Sequence, residues 1–433
     1  MREFSAKERL DKKRAVVVGA GRSGRAAALL LHALGAFVRV LEKTPSNLDQ
    51  DFAEDARKKG MEVVLGEHER EHFMGVDMVV LSPGVPLRAI RELFPGEPAP
   101  EVMAELELAG RYVSERILAV TGTNGKTTTT ALAGAVLKHI GRRVFVGGNI
   151  GCPLSEYVLG EGGADVLVLE VSSFQAQNCD TFKPDTAVLL NFSPNHLDFH
   201  ADMDEYLQAK LNLFAHMEPF DVAILPAEMR DTLESLEFTR ARRQYFESTD
   251  RFESDRLPGA HNQANMEAAY LACTRFGATQ RDVWEVLEKF SPLPHRLQKV
   301  AEKDGILFVD DSKSTTVESL RAAISSFDRP VLLLAGGVFK GGDLAALVPL
   351  LRRKVRRVCL FGGARGIFEK AWAGHVPLTW EPDLERAVAS LRSKAESGDV
   401  VLLSPATASF DLYTDYKARG RDFQRIVGGV SEA

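Results

Sequence analysis

One stretch of the chain carries glycines, a lysine and hydroxyl groups at the spacing that phosphate binding requires. It follows the apolar run Ile117–Val120 and precedes a periodic stretch that ends at Gly141, which predicts strand, loop and helix. In such a loop, backbone N–H groups and the helix N-terminus face a polyanion, while lysine adds charge and threonine can hold Mg²⁺. The residues predicted to cradle a nucleoside triphosphate are Gly122, Thr123, Asn124, Gly125, Lys126, Thr127 and Thr128.

The match to the common phosphate-binding loop is incomplete. Val120 stands where that motif has its first glycine, so the loop is a shortened variant. The alternative is an ordinary Gly/Thr-rich turn into a helix. The Gly-Lys-Thr ending at a strand-to-helix junction favours phosphate binding, because this is where the mechanism needs these residues.

A second glycine-rich turn lies near the start of the chain. Gly21, Arg22 and Ser23 follow the first apolar strand, Glu42 ends the second strand, and Ser82 lies in a turn after a later strand. This β-α-β pattern predicts a site for a dinucleotide or a nucleoside diphosphate such as a UDP-sugar, with the acidic residue on ribose hydroxyls. An NAD-dependent oxidoreductase is therefore one open alternative.

Further candidates follow in the middle of the chain. Glu170 ends an apolar strand, where a carboxylate can hold a metal ion, and His196 lies in a loop after the next strand. Lys210 falls inside the apolar stripe of a helix. Its ammonium either snorkels to solvent or, if held inward, must be paired, neutralised or covalently modified. Asn262 and Asn265 share a helix face and can read a base edge or cap the helix.

Strand–loop–helix patterns recur to the end of the chain, which predicts parallel sheets covered by helices. Proline-rich junctions at Phe94–Pro100 and Pro292–Arg296 divide the chain into three predicted α/β domains. Their predicted extents are residues 1–100, 101–293 and 294–433.

Composition narrows the class of protein. The 433 residues are 45% hydrophobic and 26% charged, with a net charge of −6, which is typical of a globular protein without a basic face for nucleic acid. The charged start and the absence of a long apolar run predict a cytoplasmic protein that does not bind membranes. Four scattered cysteines without a C-x-x-C pair predict neither disulfides nor a zinc site. We expect a monomer.

Together these motifs resemble the Mur ligase family of ATP-dependent amide ligases, in the same order along nearly the entire chain. The resemblance is carried by Thr121–Thr128, Asn195–Asp198, the helix around Lys210, His261–Asn265, Pro294–Arg296, Asp311–Lys313 and Ser404–Ala406. Within the family, the Ser82 turn, the Lys340 loop and the run Ser404–Asp411 are most similar to the member that joins D-glutamate to UDP-N-acetylmuramoyl-L-alanine in peptidoglycan precursor synthesis.

The resemblance implies a fold and a mechanism. The N-terminal and C-terminal domains would be Rossmann-like, and the central domain would be a P-loop ATPase-type α/β domain. ATP would phosphorylate the alanyl carboxylate, the amine of D-glutamate would attack the acyl phosphate, and phosphate would leave. Such phosphoryl transfer relies on positive charge and metal more than on acid–base groups, and two Mg²⁺ ions are expected.

The resemblance also implies a role for each candidate residue. Lys126 would clamp phosphates, while Thr127 and Glu170 would hold one Mg²⁺. His196 and Lys210 would serve the second ion, with Lys210 carbamylated so that it offers an anionic oxygen. The remaining ATP contacts would be Asn262, Asn265, Arg296 and Asp311; the UDP-substrate contacts Gly21, Arg22, Ser23, Glu42, Ser82, Asn149 and Ser172; and the D-glutamate contacts Thr315, Lys340, Ser409 and Phe410.

Three alternatives remain at this point. The nearest is another ligase of the same superfamily, which adds a different amino acid or adds glutamate to folate. The second is the oxidoreductase with an accessory nucleotide domain, which only the first domain supports. The third is a nucleotide-gated binding protein without chemistry, which would leave His196 and Lys210 unexplained.

Overall fold

The computed structural model describes residues 4–5, 8–45, 48–96, 98–196, 199–254, 256–257, 259–290 and 294–428, without the side chain of Glu318. Leu197 and Asp198 of the predicted His196 loop lie outside the described residues, as do residue 97 of the first junction and residues 292–293 of the second. The strands of the described chain form three sheets. No helix of the described part is both long and apolar enough to cross a membrane.

The first sheet is parallel, with its strands in the order β3-β2-β1-β4-β5. Its elements are β1 (Arg14–Val18), α1 (Arg22–Ala33), β2 (Phe37–Glu42), α2 (Gln50–Lys58), β3 (Glu62–Leu65), β4 (Met78–Leu81) and β5 (Glu101–Ala104). The chain order reverses between β1 and β4. Folds of this kind bind ligands at such a reversal, beside the carboxyl ends of the strands.

The second sheet is also parallel, in the order β11-β10-β9-β6-β8-β7. Its strands are β6 (Arg116–Thr121), β7 (Val144–Gly148), β8 (Val166–Glu170), β9 (Thr186–Leu189), β10 (Val222–Pro226) and β11 (Arg242–Phe246). Because β6 lies between β8 and β9, the loops after these three strands meet at one edge.

The helices of this part of the chain lie before, between and after these strands. They are α3 (Glu105–Gly110), α4 (Lys126–His139), α5 (Leu154–Leu159), α6 (Ser173–Ala176), α7 (Met203–Leu211), α8 (Arg230–Glu234), α9 (Ala260–Thr274) and α10 (Gln280–Leu287).

The third sheet has the order β12-β13-β17-β14-β15-β16, and only its edge strand β12 is antiparallel. Its elements are β12 (Gln298–Lys303), β13 (Ile306–Asp310), α11 (Val317–Ser325), β14 (Val331–Ala335), α12 (Val348–Lys354), β15 (Val355–Phe361), α13 (Arg365–Trp372), β16 (Leu378–Glu381), α14 (Leu384–Arg392), β17 (Val400–Leu403) and α15 (Tyr416–Val427).

Alternate residues of the third sheet face two separate hydrophobic cores. Leu333 and Leu360 pack with α11, α12 and α13, whereas Leu332 and Cys359 pack with α14 and α15. Helices therefore cover both faces of the sheet, as the continuous apolar runs of its strands predict. The predicted α/β class with parallel sheets is confirmed.

Two features differ from the sequence prediction. The Pro-rich segment Phe94–Pro100 precedes a strand that still belongs to the first sheet, so this sheet extends past residue 100 to Ala104. Proline excludes the segment from a central strand but does not prevent a strand from following it. The chain also divides into two compact units, the first being residues 1–191, 204–247 and 266–286, and the second residues 192–203, 248–265 and 287–433.

Candidate active site

Two glycines and one asparagine determine the conformation of the predicted phosphate-binding loop after β6. The asparagine is Asn191, which follows the neighbouring strand. Gly122 and Gly125 have φ values of 142° and 83°, which favour glycine. The backbone N–H of Asn124 donates to Asn191 Oδ1 at 2.9 Å, and that of Thr123 donates to the Asn191 carbonyl at 3.0 Å. Asn191 follows β9. The loop is therefore braced across the sheet, with α4 beginning directly after it.

Two lysines converge on the loop. The Nζ atoms of Lys126 and Lys210 each donate to the carbonyl oxygen of Gly122 at 2.8 Å, and Lys126 also donates to the Thr123 carbonyl at 2.7 Å. Lys210 is 1% exposed, and its Nζ lies 4.5 Å from the centre of the Tyr206 ring. The side chain of Lys210 is therefore held inward, and the snorkelling alternative is wrong.

Burial, followed by the nearby charge of Lys126, lowers the pKa of Lys210 well below its usual value, while the charge of Glu170 acts in the opposite direction. Removing an ammonium from water disfavours the charged form, and a like charge adds to that effect. This shift increases the fraction of the Lys210 side chain that is present as the neutral amine, which is the nucleophilic form.

Glu170 ends β8 directly beside the loop. It is paired in register with Val120 on one side and Gly148 on the other. Its Oε1 accepts a hydrogen bond from Asn149 Nδ2 at 2.8 Å, whereas Oε2 is buried with no hydrogen-bond partner in the described structure. A buried carboxylate oxygen without a hydrogen-bond donor is unfavourable unless a cation or a water molecule contacts it.

Thr127 and Thr128 are buried in the first turn of α4, and Ser172 precedes α6 after β8. Ser172 Oγ accepts from the backbone N–H of Gln175, and the Gln175 side chain accepts from the backbone of Ser172, which forms a capping box. Among the described residues, no three or more His, Cys, Asp or Glu side chains form a group that could hold a metal ion by themselves. Mg²⁺ does not require one, because it commonly uses one or two carboxylates, water and phosphate oxygens.

The first sheet places the predicted diphosphate turn beside Ser82. Ser82 Oγ donates to the Gly19 carbonyl at 2.8 Å, which joins the turns after β1 and β4. Glu42 Oε2 accepts from the Ala20 N–H at 2.8 Å, and Oε1 accepts from the Thr44 N–H at 2.9 Å. The Glu42 carboxylate, which was predicted to bind ribose hydroxyls, therefore already accepts a backbone hydrogen bond at each of its oxygens.

Arg22, at the start of α1, forms a forked ion pair with Glu156 of α5. Its Nε and Nη2 each donate to one carboxylate oxygen at 3.1 Å. Ser23 is the next residue of the same turn, and nothing lies within 4 Å of a Cβ placed at Gly21. The turn therefore presents open space in front of Gly21, flanked by a guanidinium whose orientation Glu156 fixes.

The second compact unit contains the residues outside the phosphate-binding loop that are predicted to bind ATP. Asn265 Nδ2 donates to Asn262 Oδ1 at 3.2 Å, and both side chains are buried. Burial raises the pKa of Asp311 to about 7, against hydrogen bonds from Ser404 and the Leu297 N–H and the positive charge of Arg296. Arg296 is therefore close enough to Asp311 to stabilise its charge.

The predicted D-glutamate residues follow three neighbouring strands of the third sheet. Thr315 follows β13, Lys340 follows β14, and Ser409 and Phe410 follow β17. The Lys340 Nζ lies 5.7 Å from the centre of the Phe410 ring, which is 66% exposed. An exposed cation beside an exposed ring is a suitable surface for a small carboxylate.

His196, which also belongs to the second unit, has a φ of 56° and accepts backbone hydrogen bonds from Phe199 and His200 through its carbonyl. A non-glycine residue in this region is uncommon and indicates a constrained turn. The backbone at His196 is therefore constrained, while its predicted role at a metal ion stays a prediction.

Sequence reasoning missed several residues that position this site. Asn191, Tyr206 and Glu156 were not assigned roles, although an asparagine directly after an apolar strand is a recognisable signal. Tyr206 OH lies 3.3 Å from Thr123 Oγ1, within hydrogen-bond distance. The pairing of Glu156 with Arg22 spans 134 positions and leaves no local signal.

The fold and this arrangement define a class of protein. The Mur ligase middle domain matches residues 120–251, the Mur ligase glutamate ligase domain matches residues 295–407, and the Mur ligase MurD-like N-terminal domain matches residues 13–92. The chain belongs to the Mur ligase family, which confirms the resemblance read from its motifs and decides against the oxidoreductase.

Named relatives narrow the comparison. The chain is 54% identical to UDP-N-acetylmuramoylalanine–D-glutamate ligase of Oleidesulfovibrio alaskensis, covering 95% of this chain and 93% of that protein. It is 53% identical to the ligase of the same name from Nitratidesulfovibrio vulgaris strain DP4, covering 96% of each. Among solved structures, the fold is similar to a MurF ligase of Thermotoga maritima in complex with ADP, with a TM-score of 0.62, 18% identity and coverage of 90% and 95%.

Proposed function

We propose that this protein is an ATP-dependent ligase that joins D-glutamate to UDP-N-acetylmuramoyl-L-alanine in peptidoglycan precursor synthesis. The observation that carries the proposal is the convergence of Lys126 and Lys210 on the Gly122 carbonyl, beside Glu170, in a chain more than half identical to ligases of that name. A loop of this kind favours a polyphosphate, and the positive charge of Lys126 favours a reaction in which a negatively charged group is transferred.

The reaction begins with a carboxylate, which is a poor electrophile until it is phosphorylated. Lys126 would leave the loop carbonyls to hold the phosphates of ATP, while the backbone N–H groups around Gly125 face the same anion. The amine of D-glutamate would then attack the acyl phosphate, with phosphate as the leaving group. Positioning and charge dominate the chemistry that these residues supply.

Magnesium fits the residues that surround the loop. Glu170 Oε2 is buried without a donor, and the Thr127 hydroxyl lies in the first turn of α4, so these two residues would hold one ion. When bound, Mg²⁺ would neutralise charge on the phosphates. We assign His196 and Lys210 to a second ion.

Lys210 would take part as a carbamate. The neutral amine that its lowered pKa favours can attack CO₂, forming an N–C bond and releasing one proton to solvent. The product carries an anionic oxygen instead of an ammonium, which removes the repulsion from Lys126 and supplies a ligand suited to a hard cation. The buried position of the lysine supports this assignment, because an unmodified ammonium there is unfavourable.

The Lys210→Ala variant tests the carbamate. It should lose activity, and short-chain carboxylates should restore part of it. The Gln208→Ala variant on the exposed face of the same helix is the control and should remain active. An independent readout is the carbamate signal in ¹³C NMR after equilibration with ¹³C-labelled bicarbonate, which should be present in the parent and absent from Lys210→Ala. Full activity in that variant, or no parent signal, contradicts the assignment.

The UDP-substrate would lie along the first sheet and its junction with the second. We assign Gly21, Ser23 and Ser82 to the diphosphate, with Arg22 oriented by Glu156. Because both oxygens of Glu42 hold backbone N–H groups, we now propose that Glu42 shapes the turn and does not bind ribose directly. Asn149 and Ser172 would contact the muramoyl portion.

The remaining assignments concern the second unit. Asn262 and Asn265 would hold adenine, and Arg296 and Asp311 the ribose and phosphates of ATP. We assign the D-glutamate carboxylates to Thr315, Lys340, Ser409 and Phe410. The proposal keeps the three-domain division, a monomer and a cytoplasmic location.

One assay tests the function. ADP release is measured with UDP-N-acetylmuramoyl-L-alanine and each of a series of amines, including D-glutamate, L-glutamate and D-alanine, and the product mass is determined. Release that depends on D-glutamate, with a product one glutamyl residue heavier than the substrate, is expected. Preference for another amine would indicate another Mur ligase activity. Activity only with a folate substrate and glutamate would indicate the folate-type alternative.

A further inference from the structure

Arg419 is a buried arginine of α15 that joins two loops at the carboxyl edge of the third sheet. Its Nε donates to Ser312 Oγ at 2.9 Å, and its Nη2 donates to the carbonyls of Ser312 at 2.8 Å and Thr407 at 3.1 Å. Ser312 follows β13, and Thr407 follows β17, the strand next to it. A single planar guanidinium therefore fixes the distance between the two loops.

The loop after β14 lies against the same group. A Cβ placed at Gly337 would lie 3.3 Å from Arg419 Nη1, so the backbone there passes against the guanidinium. Thr407 Oγ1 donates to the Gly336 carbonyl at 2.5 Å, and Val338 and Ala408 exchange backbone hydrogen bonds of 2.9 Å. All three loops thus meet around Arg419.

One of these loops is strained. Ala406 has a φ of 58°, a conformation that costs a non-glycine residue about 1 kcal/mol and persists only where neighbours enforce it. Its N–H donates to the Ser314 carbonyl at 3.0 Å, and the next carbonyl, of Thr407, accepts from Arg419. The guanidinium is one of the contacts that hold this turn.

The three loops carry the residues that we assign to D-glutamate. Thr315 lies three positions after Ser312, Lys340 three positions after Gly337, and Ser409 two positions after Thr407. Asp311, the residue of the β13 loop that we assign to ATP, is held by other contacts. Asp311 accepts from Ser404 Oγ at 2.9 Å and from the Leu297 N–H at 3.2 Å, without Arg419.

A space-filling role does not account for the charge of this side chain. Burial lowers the pKa of Arg419 to about 10, while the charges of Asp411, Tyr413, Asp310 and Asp311 raise it, so the group stays positive at neutral pH. Burying a cation is unfavourable, and an apolar side chain would often be at least as stable in its place. An apolar residue cannot supply the forked hydrogen bonds that the guanidinium donates to the two loops.

We infer that Arg419 is a positioning residue for the amino-acid subsite, where it sets the spacing of the loops after β13, β14 and β17 that receive the dicarboxylate substrate. This rests on the proposed D-glutamate ligase function. The residue acts through the loops and does not touch the substrate.

The test compares Arg419→Lys with Arg425→Gln, an exposed arginine on the same helix that pairs with Asp422 and Glu385. Lysine keeps the charge but loses the fork. We expect the KM for D-glutamate to rise about tenfold in Arg419→Lys, with the KM values for ATP and the UDP-substrate within about twofold of the parent. The control should match the parent in all three. Guanidinium chloride at low millimolar concentration should partly restore Arg419→Ala.

Two results would overturn the positioning role of Arg419. An unchanged KM for D-glutamate in a folded Arg419→Lys protein overturns the inference, and so does an equal rise for all three substrates. If Arg419→Lys does not melt cooperatively, Ser312→Ala replaces it; this removes one accepting atom and should raise the same KM by a smaller factor, and an unchanged value again overturns the inference. If the parent shows no D-glutamate-dependent ADP release, the proposed function fails first.

Discussion

Replacing Gly24 with alanine tests how closely α1 approaches the turn after β1. A Cβ at this position would lie 1.9 Å from the Gly19 carbonyl oxygen and 2.5 Å from Ser82 Oγ. These two atoms are hydrogen-bonded to each other at 2.8 Å, so neither can retreat without breaking the bond. The helix and turn must separate by about 1.5 Å for this Cβ to reach an ordinary contact with the Gly19 carbonyl oxygen.

The size of the effect follows from two opposing terms. Overpacking costs about 1–3 kcal/mol, and the upper end applies here because the obstructing atom at Gly19 is backbone. Alanine in place of glycine inside a helix stabilises by about 1 kcal/mol. We therefore expect Gly24→Ala to lower the free energy of unfolding by about 2 kcal/mol, which is a fall in Tm of roughly 4–8 °C for a folding unit of this size.

The assay is calorimetric melting together with the KM for UDP-N-acetylmuramoyl-L-alanine. Displacing the turn should also raise that KM, because the proposed diphosphate site moves with it. Gly21→Ala is the matched control, since its Cβ would have nothing within 4 Å in the protein. It should keep the parent's Tm yet raise the KM by obstructing the diphosphate. A Gly24→Ala protein with the parent's Tm and KM would refute the close approach of helix and turn.

Three further predictions concern single side chains. Burial raises the pKa of Glu105 from its ordinary value of 4.5 to about 7, so the folded state binds this proton more tightly than the unfolded state does. The resulting stabilisation is complete below pH 4.5 and is lost as the pH rises through about 7. Glu105→Gln keeps the acceptor for the Ser155 N–H. In urea unfolding this variant should be about 3 kcal/mol more stable than the parent at pH 8 but not at pH 4. Equal stability of the two proteins at pH 8 would contradict the raised pKa of Glu105. Glu170→Gln should raise the Mg²⁺ concentration for half-maximal ADP release about tenfold or more, because the buried oxygen loses its charge; an unchanged Mg²⁺ titration would exclude Glu170 as a ligand. Gly420→Ala should destabilise by about 1–2 kcal/mol despite its helical position, because its Cβ would meet His295 Nδ1 at 2.1 Å, and a rise in Tm would show that the ring moves freely.

The sequence was sufficient for elements whose signal is local. The strands that precede the two glycine-rich turns, and the helix that follows each turn, lie where the apolar runs and glycines predict. β10 (Val222–Pro226) carried a readable apolar run that the prediction overlooked. β11 and β12 are half polar edge strands, and their pairing depends on distant neighbours rather than on their own composition.

The residues of the candidate site also divide into those with a local sequence signal and those that depend on distant contacts. The inward position of Lys210 could not be decided from spacing, since a lysine in an apolar stripe is compatible with either orientation until the Gly122 carbonyl is in place. For Glu42 we propose a structural role in place of the predicted ribose contact, because the Ala20 N–H, 22 positions away, and the Thr44 N–H donate to its two oxygens. Arg419 had no sequence signal at all, since its partners lie on loops 107 and 12 positions away.

The central position of β6 in the second sheet bears on how the protein is made. Both neighbours of this strand, β8 and β9, come later in the chain, and the loop after β6 is braced by Asn191. While the chain emerges from the ribosome, the phosphate-binding segment is synthesised about 70 residues before the brace that gives it its shape. One edge of β6 can pair with β8 earlier, but its other edge has no partner until β9 follows. We therefore expect the nascent chain to form its phosphate-binding loop late, and a chain that stalls before residue 191 to lack the contacts of Asn191 that brace this loop.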